Sequence, residues 1–87
     1  MKIKKVVVIG SGTMGSGIAA HLCNANIPVT LLDLKTEISE KARDRIYKSR
    51  PPLLLDKSKI NNIKVGNIND NFDTIKDADW VVEAVVE

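Results

Sequence analysis

Aromatic side chains are scarce in this chain, with one Trp, one Tyr and one Phe among 87 residues. Its 13 basic and 11 acidic residues are scattered and leave a net charge of only +2. No basic patch interleaves with aromatics, so the usual footprint of a nucleic-acid-binding surface is missing. Cysteine is limited to Cys23, which rules out an internal disulfide and fits a reducing, cytoplasmic compartment. A small thiol in mid-helix is expected to serve as packing. Long apolar runs are lacking too. The run Val6–Ile9 after Met1 and Lys2 breaks at Gly10, too early for a signal peptide, and no segment approaches the length of a membrane span. Neither repeats nor low-complexity stretches occur, and 87 residues suffice for one small domain with a thin core.

What the chain does have is a motif in its proper context. Val6-Val7-Val8-Ile9 is β-branched throughout and reads as a strand buried on both faces. Gly10-Ser11-Gly12-Thr13-Met14-Gly15 follows, a G-x-G-x-x-G loop that opens a helix over residues 13–25. Met14, Ile18, Leu22 and Ala25 recur at helical spacing and predict its sheet-facing stripe. Residues 27–33 read as a second strand ending at Asp33. Strand, glycine loop, helix, strand and acidic residue, in that order, make the βαβ unit that binds dinucleotides.

Each part of the motif has a physical role. Gly10 permits a sharp turn. Gly12 lets backbone approach a pyrophosphate, and Gly15 lets the helix lie closely on the sheet. The N-terminus of the helix offers N–H groups and a partial positive charge to the phosphates. A carboxylate at Asp33 accepts ribose hydroxyls and repels a 2′-phosphate, which favours NAD over NADP; Lys35 is near enough to soften the preference. FAD-binding proteins share the fingerprint. In the plainest reading the glycines only turn the chain and Asp33 only caps the next helix.

Residues 36–50 predict a mostly polar helix with Ile38, Ala42 and Ile46 in one apolar line, ended by Pro51 and Pro52. Leu53, Leu54 and Leu55 form an apolar patch that either packs on the sheet edge or meets a part outside this chain. A helical turn at 56–62 precedes a third strand, Ile63-Lys64-Val65, closed by Gly66-Asn67. A weak helix at 70–78, anchored by Phe72 and Ile75, leads to a fourth strand over 79–87. The fold class is α/β, the first half of a Rossmann-type doubly wound parallel sheet in the order 3-2-1-4. The cofactor crevice then lies at the carboxyl ends of strands 1 and 4, and Val85, Val86 and Glu87 arrive beside the nicotinamide. Glu83 reads as an exposed edge charge and Trp80 as a packing residue. His21, within the first helix and away from its N-terminal end, reads as structural or solvated.

Two segments carry a family resemblance. Val8-Ile9-Gly10-Ser11-Gly12-Thr13-Met14-Gly15-Ser16-Gly17-Ile18-Ala19 and Asp79-Trp80-Val81-Val82-Glu83-Ala84-Val85-Val86-Glu87 together resemble the 3-hydroxyacyl-CoA dehydrogenases. The resemblance covers essentially the whole chain and is closest to forms in which the dehydrogenase begins the polypeptide. It implies oxidation of the 3-hydroxyl of an acyl-CoA to a ketone, with hydride passed to NAD, in fatty-acid β-oxidation. By position it implies NAD contacts at Met14, Asp33, Val85, Val86 and Glu87. It also implies that the family's catalytic His–Glu pair, its Ser and Asn helpers, and a lysine that touches the cofactor lie beyond residue 87. So does the helical domain that makes the dimer and completes the acyl-CoA cleft.

Hydride transfer from an alcohol needs a base for the hydroxyl proton, and none of these residues is placed to serve. Residues 1–87 are therefore expected to be a partial NAD-binding Rossmann domain, inactive alone. Its expected cofactor residues are Gly10, Ser11, Gly12, Thr13, Met14, Gly15, Asp33, Val85, Val86 and Glu87, with no catalytic or metal-ligating residue. Acyl-CoA is expected only with the missing domain. Association is expected through the exposed fourth strand or with a separately encoded C-terminal part. Two alternatives stay open: an autonomous NAD-binding sensor or scaffold module, and a decaying gene fragment with no present role.

Overall fold

The β-branched opening run forms strand β1, Val6–Ile9, at the centre of a parallel sheet. The structure is a computed structural model and describes residues 5–49 and 53–84. On one side β1 pairs with β2, Val29–Asp33, in the register Val6 to Val29. Strand β3, Ile63–Asn67, flanks β2 with Ile63 opposite Val29. The chain then returns to the other side of β1, where β4, Trp80–Glu83, sets Trp80 opposite Val6. The order is β3-β2-β1-β4, as the sequence implies. Because the chain leaves β1 towards one edge and comes back on the other, the strand order reverses between β1 and β4, which makes this the topological switch point of the sheet.

Helices α1, Thr13–Asn24, and α2, Thr36–Lys48, pack on one face of the sheet. Val6, Val8, Val29, Leu31 and Ile63 meet Ala19, Ala20, Cys23, Ala42 and Ile46 there in one core cluster. Val7 and Leu32 alternate to the opposite face and are buried as well. Both faces of β1 are thus covered, as its unbroken β-branched run requires.

The buried face of α1 differs from the expected stripe. Gly15, Ser16, Ala19, Ala20, Leu22 and Cys23 are buried, whereas Met14 is 65% exposed and Ala25 lies in solvent. Close approach of α1 to the sheet selects its smallest residues. The larger Met14 and Ile18 are displaced to the flank, where they line an apolar groove with Trp80 and Val82. α1 ends one residue earlier than expected. Asn26 adopts a left-handed φ of 63°, and its N–H and that of Ile27 close onto the carbonyls of Cys23 and Leu22. That pair of bonds is a Schellman stop.

In α2 the apolar line is likewise shifted. Ser39, Ala42 and Ile46 are buried and Ile38 is not, because the Ser39 hydroxyl donates to the Gly66 carbonyl at 2.8 Å and so satisfies itself against β3. Of the three leucines, Leu54 enters the core while Leu53 and Leu55 stay exposed. The Asn24 side chain pins this segment by bonding the Leu53 carbonyl and the Leu55 N–H. A 3-10 helix, Lys57–Asn62, fills the place of the expected turn, and the Asp56 carboxylate caps it through the Ser58 N–H at 3.0 Å.

Helix α3, Phe72–Asp77, buries none of its residues, so Phe72 at 57% exposure is no anchor. Hydrogen bonds fix it instead: Asn67 N–H to Asn71 Oδ1, and Asp70 N–H to Asn67 Oδ1. Trp80 is also half exposed, since β4 is an edge strand with nothing beyond it among the described residues. Reciprocal bonds between Lys5 and Asp79 hold the start of β4, and the Ala84 N–H reaches the Ile9 carbonyl at its end. The expected nicotinamide-side residues Val85, Val86 and Glu87 lie outside the described residues, as do Pro51 and Pro52. Among the described residues no helix is long and apolar enough to cross a membrane.

Candidate functional site: the glycine loop and its aspartate

Gly10 ends β1 with a φ of 102°, a conformation that side chains rarely adopt. Its N–H donates to the Leu32 carbonyl, which holds the loop against the end of β2. Five residues on, Gly15 faces the same turn. A Cβ there would stand 1.7 Å from the Gly10 carbonyl oxygen, so the helix can start this close to the strand only with glycine. Gly12 is the opposite case: among the described residues nothing lies within 4 Å of where its Cβ would be. The backbone there borders open space.

α1 begins without any side-chain cap and without an acidic residue in its first turn. Its first internal bond runs from the Ser16 N–H to the Gly12 carbonyl at 2.9 Å, which leaves the amides of Thr13, Met14 and Gly15 ahead of it. Three backbone donors and the positive end of the helix thus converge beside the open side of Gly12.

Asp33, at the carboxyl end of β2, reaches across to the loop. Its Oδ2 accepts the Ser11 N–H at 2.8 Å and the Ser11 hydroxyl at 2.6 Å, and its Oδ1 accepts the Leu34 N–H at 2.7 Å. Desolvation pushes this carboxyl up, but the Ser11 hydroxyl and the Leu34 and Ser11 amides outweigh it and hold the pKa below the ordinary carboxylate value. Asp33 is therefore ionised at neutral pH. A carboxylate offers about four lone-pair sites. With three bonds already made, one acceptor position on Oδ1 is left over.

Gly10, Ser11, Gly12, Thr13, Met14, Gly15 and Asp33 are all brought to one place. Two further residues join them that motif reading does not single out. The Ser16 hydroxyl and the Arg45 guanidinium both donate to the Ser11 carbonyl, each at 3.0 Å. Ser16 lies within the motif's own helix and is buried, a hint available from spacing; Arg45 comes from α2, and nothing in the sequence links it to the loop. His21 stays apart. It is exposed on the flank of α1, beside the groove of Met14, Ile18 and Trp80, with no carboxylate among the described residues that line that groove.

Residues 5–87 match the family described as 3-hydroxyacyl-CoA dehydrogenase, NAD binding domain. The chain belongs to this family. Its cofactor is NAD. A protein of Deinococcus radiodurans described as "Probable 3-hydroxyacyl-CoA dehydrogenase" is 44% identical over 94 residues, covering 100% of this chain and 27% of its own length. One of the same description from Bacillus subtilis is 37% identical over 106 residues, covering 98% of the chain and 13% of that protein. The solved 3-hydroxybutyryl-CoA dehydrogenase of Escherichia coli K12 superposes with a TM-score of 0.80 at 27% identity, over 100% of this chain and 20% of its own. This NAD-binding domain therefore spans between 13% and 27% of the length of these three relatives.

Proposed function

We propose that this chain is the cofactor-holding portion of a 3-hydroxyacyl-CoA dehydrogenase of fatty-acid β-oxidation, binding NAD(H) and catalysing nothing alone. The observation that carries the reading is the pairing of an open backbone at Gly12 with an ionised Asp33 held beside it. The residues present fit the cofactor. The amides of Thr13, Met14 and Gly15, together with the exposed backbone of Gly12, would hold the pyrophosphate. Asp33 would accept a ribose hydroxyl at its remaining Oδ1 position, and the second hydroxyl when the Ser11 hydroxyl turns away from Oδ2. Its charge would repel the 2′-phosphate of NADP. Met14, exposed at the mouth of the loop, would cover the dinucleotide. Bound NAD supplies the hydride acceptor. Val85, Val86 and Glu87 are assigned to the nicotinamide side from their position in the family pattern.

The proton acceptor for the alcohol is assigned to polypeptide outside these 87 residues. Acyl-CoA is expected to bind only together with that part. The exposed edge of β4 and the groove of Met14, Ile18, Trp80 and Val82 suit contact with further polypeptide, in the same chain or separately encoded. A cytoplasmic setting suits the single, buried thiol.

Calorimetric titration of the chain with NADH and NADPH, followed by an assay with a 3-hydroxyacyl-CoA, tests the reading. Micromolar binding selective for NADH, with no turnover, is the expected result. Absence of NADH binding would overturn the cofactor role, and turnover by the chain alone would overturn the assignment of the base elsewhere. An autonomous sensor is less favoured, because an exposed Trp80 and Val81 on a strand edge with no neighbour among the described residues invite association.

A further inference from the structure

We propose that Arg45 is a positioning residue for the phosphates of the cofactor, acting through the peptide bond between Ser11 and Gly12. The inference rests on the NAD-binding reading above and adds to it a residue outside the glycine motif.

Ser11 is gripped on both of its sides. Its N–H and hydroxyl go to Asp33 Oδ2, while its carbonyl accepts from Ser16 Oγ and from Arg45 Nη2. A trans peptide is planar, so the carbonyl of one residue and the N–H of the next point in opposite directions. Drawing the Ser11 carbonyl towards Ser16 and Arg45 therefore turns the Gly12 N–H the other way. Gly12 is exposed at the rim of the loop, and none of the described residues comes within 4 Å of the position of its absent Cβ. Fixing this peptide adds a fourth amide to those at the start of α1.

The two arginines of α2 divide the work. Arg43 donates to the Ile63 and Ile60 carbonyls and fastens α2 to β3 and the 3-10 helix. Among the described residues Arg45 has no such role in the fold, since its one side-chain bond there goes to the loop and its side chain is exposed. Ordering a long exposed side chain costs conformational entropy with little burial in return. Its permanent charge makes it a stronger donor to the Ser11 carbonyl than the neutral Ser16 hydroxyl. Without it a single neutral hydrogen bond would hold the peptide, and flipping would become accessible.

The experiment compares two ligands in the full chain and in Arg45→Met. ADP-ribose carries the pyrophosphate; adenosine carries only the ribose that Asp33 reads. Titration by calorimetry for the first and by NMR for the second gives both affinities. Arg45→Met is expected to weaken ADP-ribose about tenfold and to leave adenosine within about twofold, with an unchanged thermal midpoint. Equal loss for both ligands would show a merely structural role and overturn the proposal, as would no loss for either. Arg43→Met, which loosens α2 itself, provides the comparison for a structural effect. If Arg45→Met does not fold, Arg45→Lys, which keeps the charge but not the guanidinium, decides: a loss confined to ADP-ribose supports the proposal, and equal loss for both ligands or none overturns it. Failure of the unaltered chain to bind ADP-ribose would overturn the NAD-binding reading and this inference with it; normal binding unaffected by Arg45 variants would overturn this inference alone.

Discussion

At Gly12 and Gly15 the same substitution has opposite consequences, because one glycine borders open space and the other a backbone oxygen. Gly15→Ala places a methyl 1.7 Å from the Gly10 carbonyl oxygen, and no flexible side chain is there to yield. A loss of roughly 3 kcal/mol of stability is expected, a large share of what a domain of this size possesses. Gly12→Ala meets nothing among the described residues and keeps an extended conformation, with φ −70° and ψ −165°. Its entropic gain and its poorer capping roughly cancel, to within about 0.5 kcal/mol. NADH affinity is nevertheless expected to fall at least about tenfold as the methyl enters the phosphate space. Urea unfolding and NADH titration of the two variants separate the cases, and a Gly12→Ala chain that binds NADH normally would remove the phosphate from that position.

Two titrating residues behave as their surroundings dictate. The Asp33 pKa is lowered in the folded chain despite desolvation, by the Ser11 hydroxyl and the Leu34 and Ser11 amides. Its contribution to stability is thus fully present above the unfolded pKa of about 4 and is lost as pH falls through the lower folded value. The difference in urea midpoint between the chain and Asp33→Asn is expected to be constant near neutrality and to close in acid; a gap that widens in acid would contradict the hydrogen bonds. Cys23 is the reverse case. Burial pushes its thiol up, and the Asn62 bonds and the Lys59 and Arg43 charges only partly oppose this. The thiol donates to the Lys59 carbonyl in the core, so it is expected to resist alkylation in the native chain and to react fully in denaturant.

Among the elements, α1 carries most of the functional consequence. It must start against Gly10 and stop before β2, and its two ends are solved by different chemistry. The start is left without a side-chain cap, which keeps its amides available. The stop uses Asn26 in the left-handed region, and its side chain also accepts from the Lys59 ammonium. Asn26→Ala is expected to cost about 1 kcal/mol, since alanine tolerates that conformation poorly and loses the contact. Asn26→Gly should recover most of this in thermal melts; equal loss in both variants would assign the effect to the Lys59 contact instead. Element identities were legible from residue patterns: a β-branched run for β1, an apolar run for β2, helical spacing for α1 and α2. Their buried faces were less so. Met14 and Ile38 fit an apolar period, yet Gly15, Ser16 and Ser39 are the residues that face inwards. Small residues and self-satisfied hydroxyls win where backbones approach closely, and a hydrophobicity pattern does not register that.

For the whole molecule, β4 is the exposed feature. Trp80 and Val81 present apolar area along an edge with no strand beyond it among the described residues. Such an edge is a template for pairing with another chain. Concentration-dependent association is expected in sedimentation velocity, and Val81→Lys is expected to weaken it by about tenfold. A chain that stays monomeric at high concentration would show that the edge is not adhesive.

The sequence alone determined the sheet order and the form of the glycine loop, because φ requirements at Gly10, the close approach at Gly15 and strand composition are local properties written in neighbouring residues. It determined the family through the same segments. Tertiary structure decided what depends on residues far apart meeting: that Asp33 already spends most of its acceptors on Ser11 and Leu34, that Arg45 reaches the Ser11 carbonyl from another helix, and that Phe72 and Trp80 stay about half exposed. Hydrogen bonds across 22 and 34 residues of chain follow from how helices settle on a sheet. That packing is fixed by the summed shapes of side chains, and no local spacing records it.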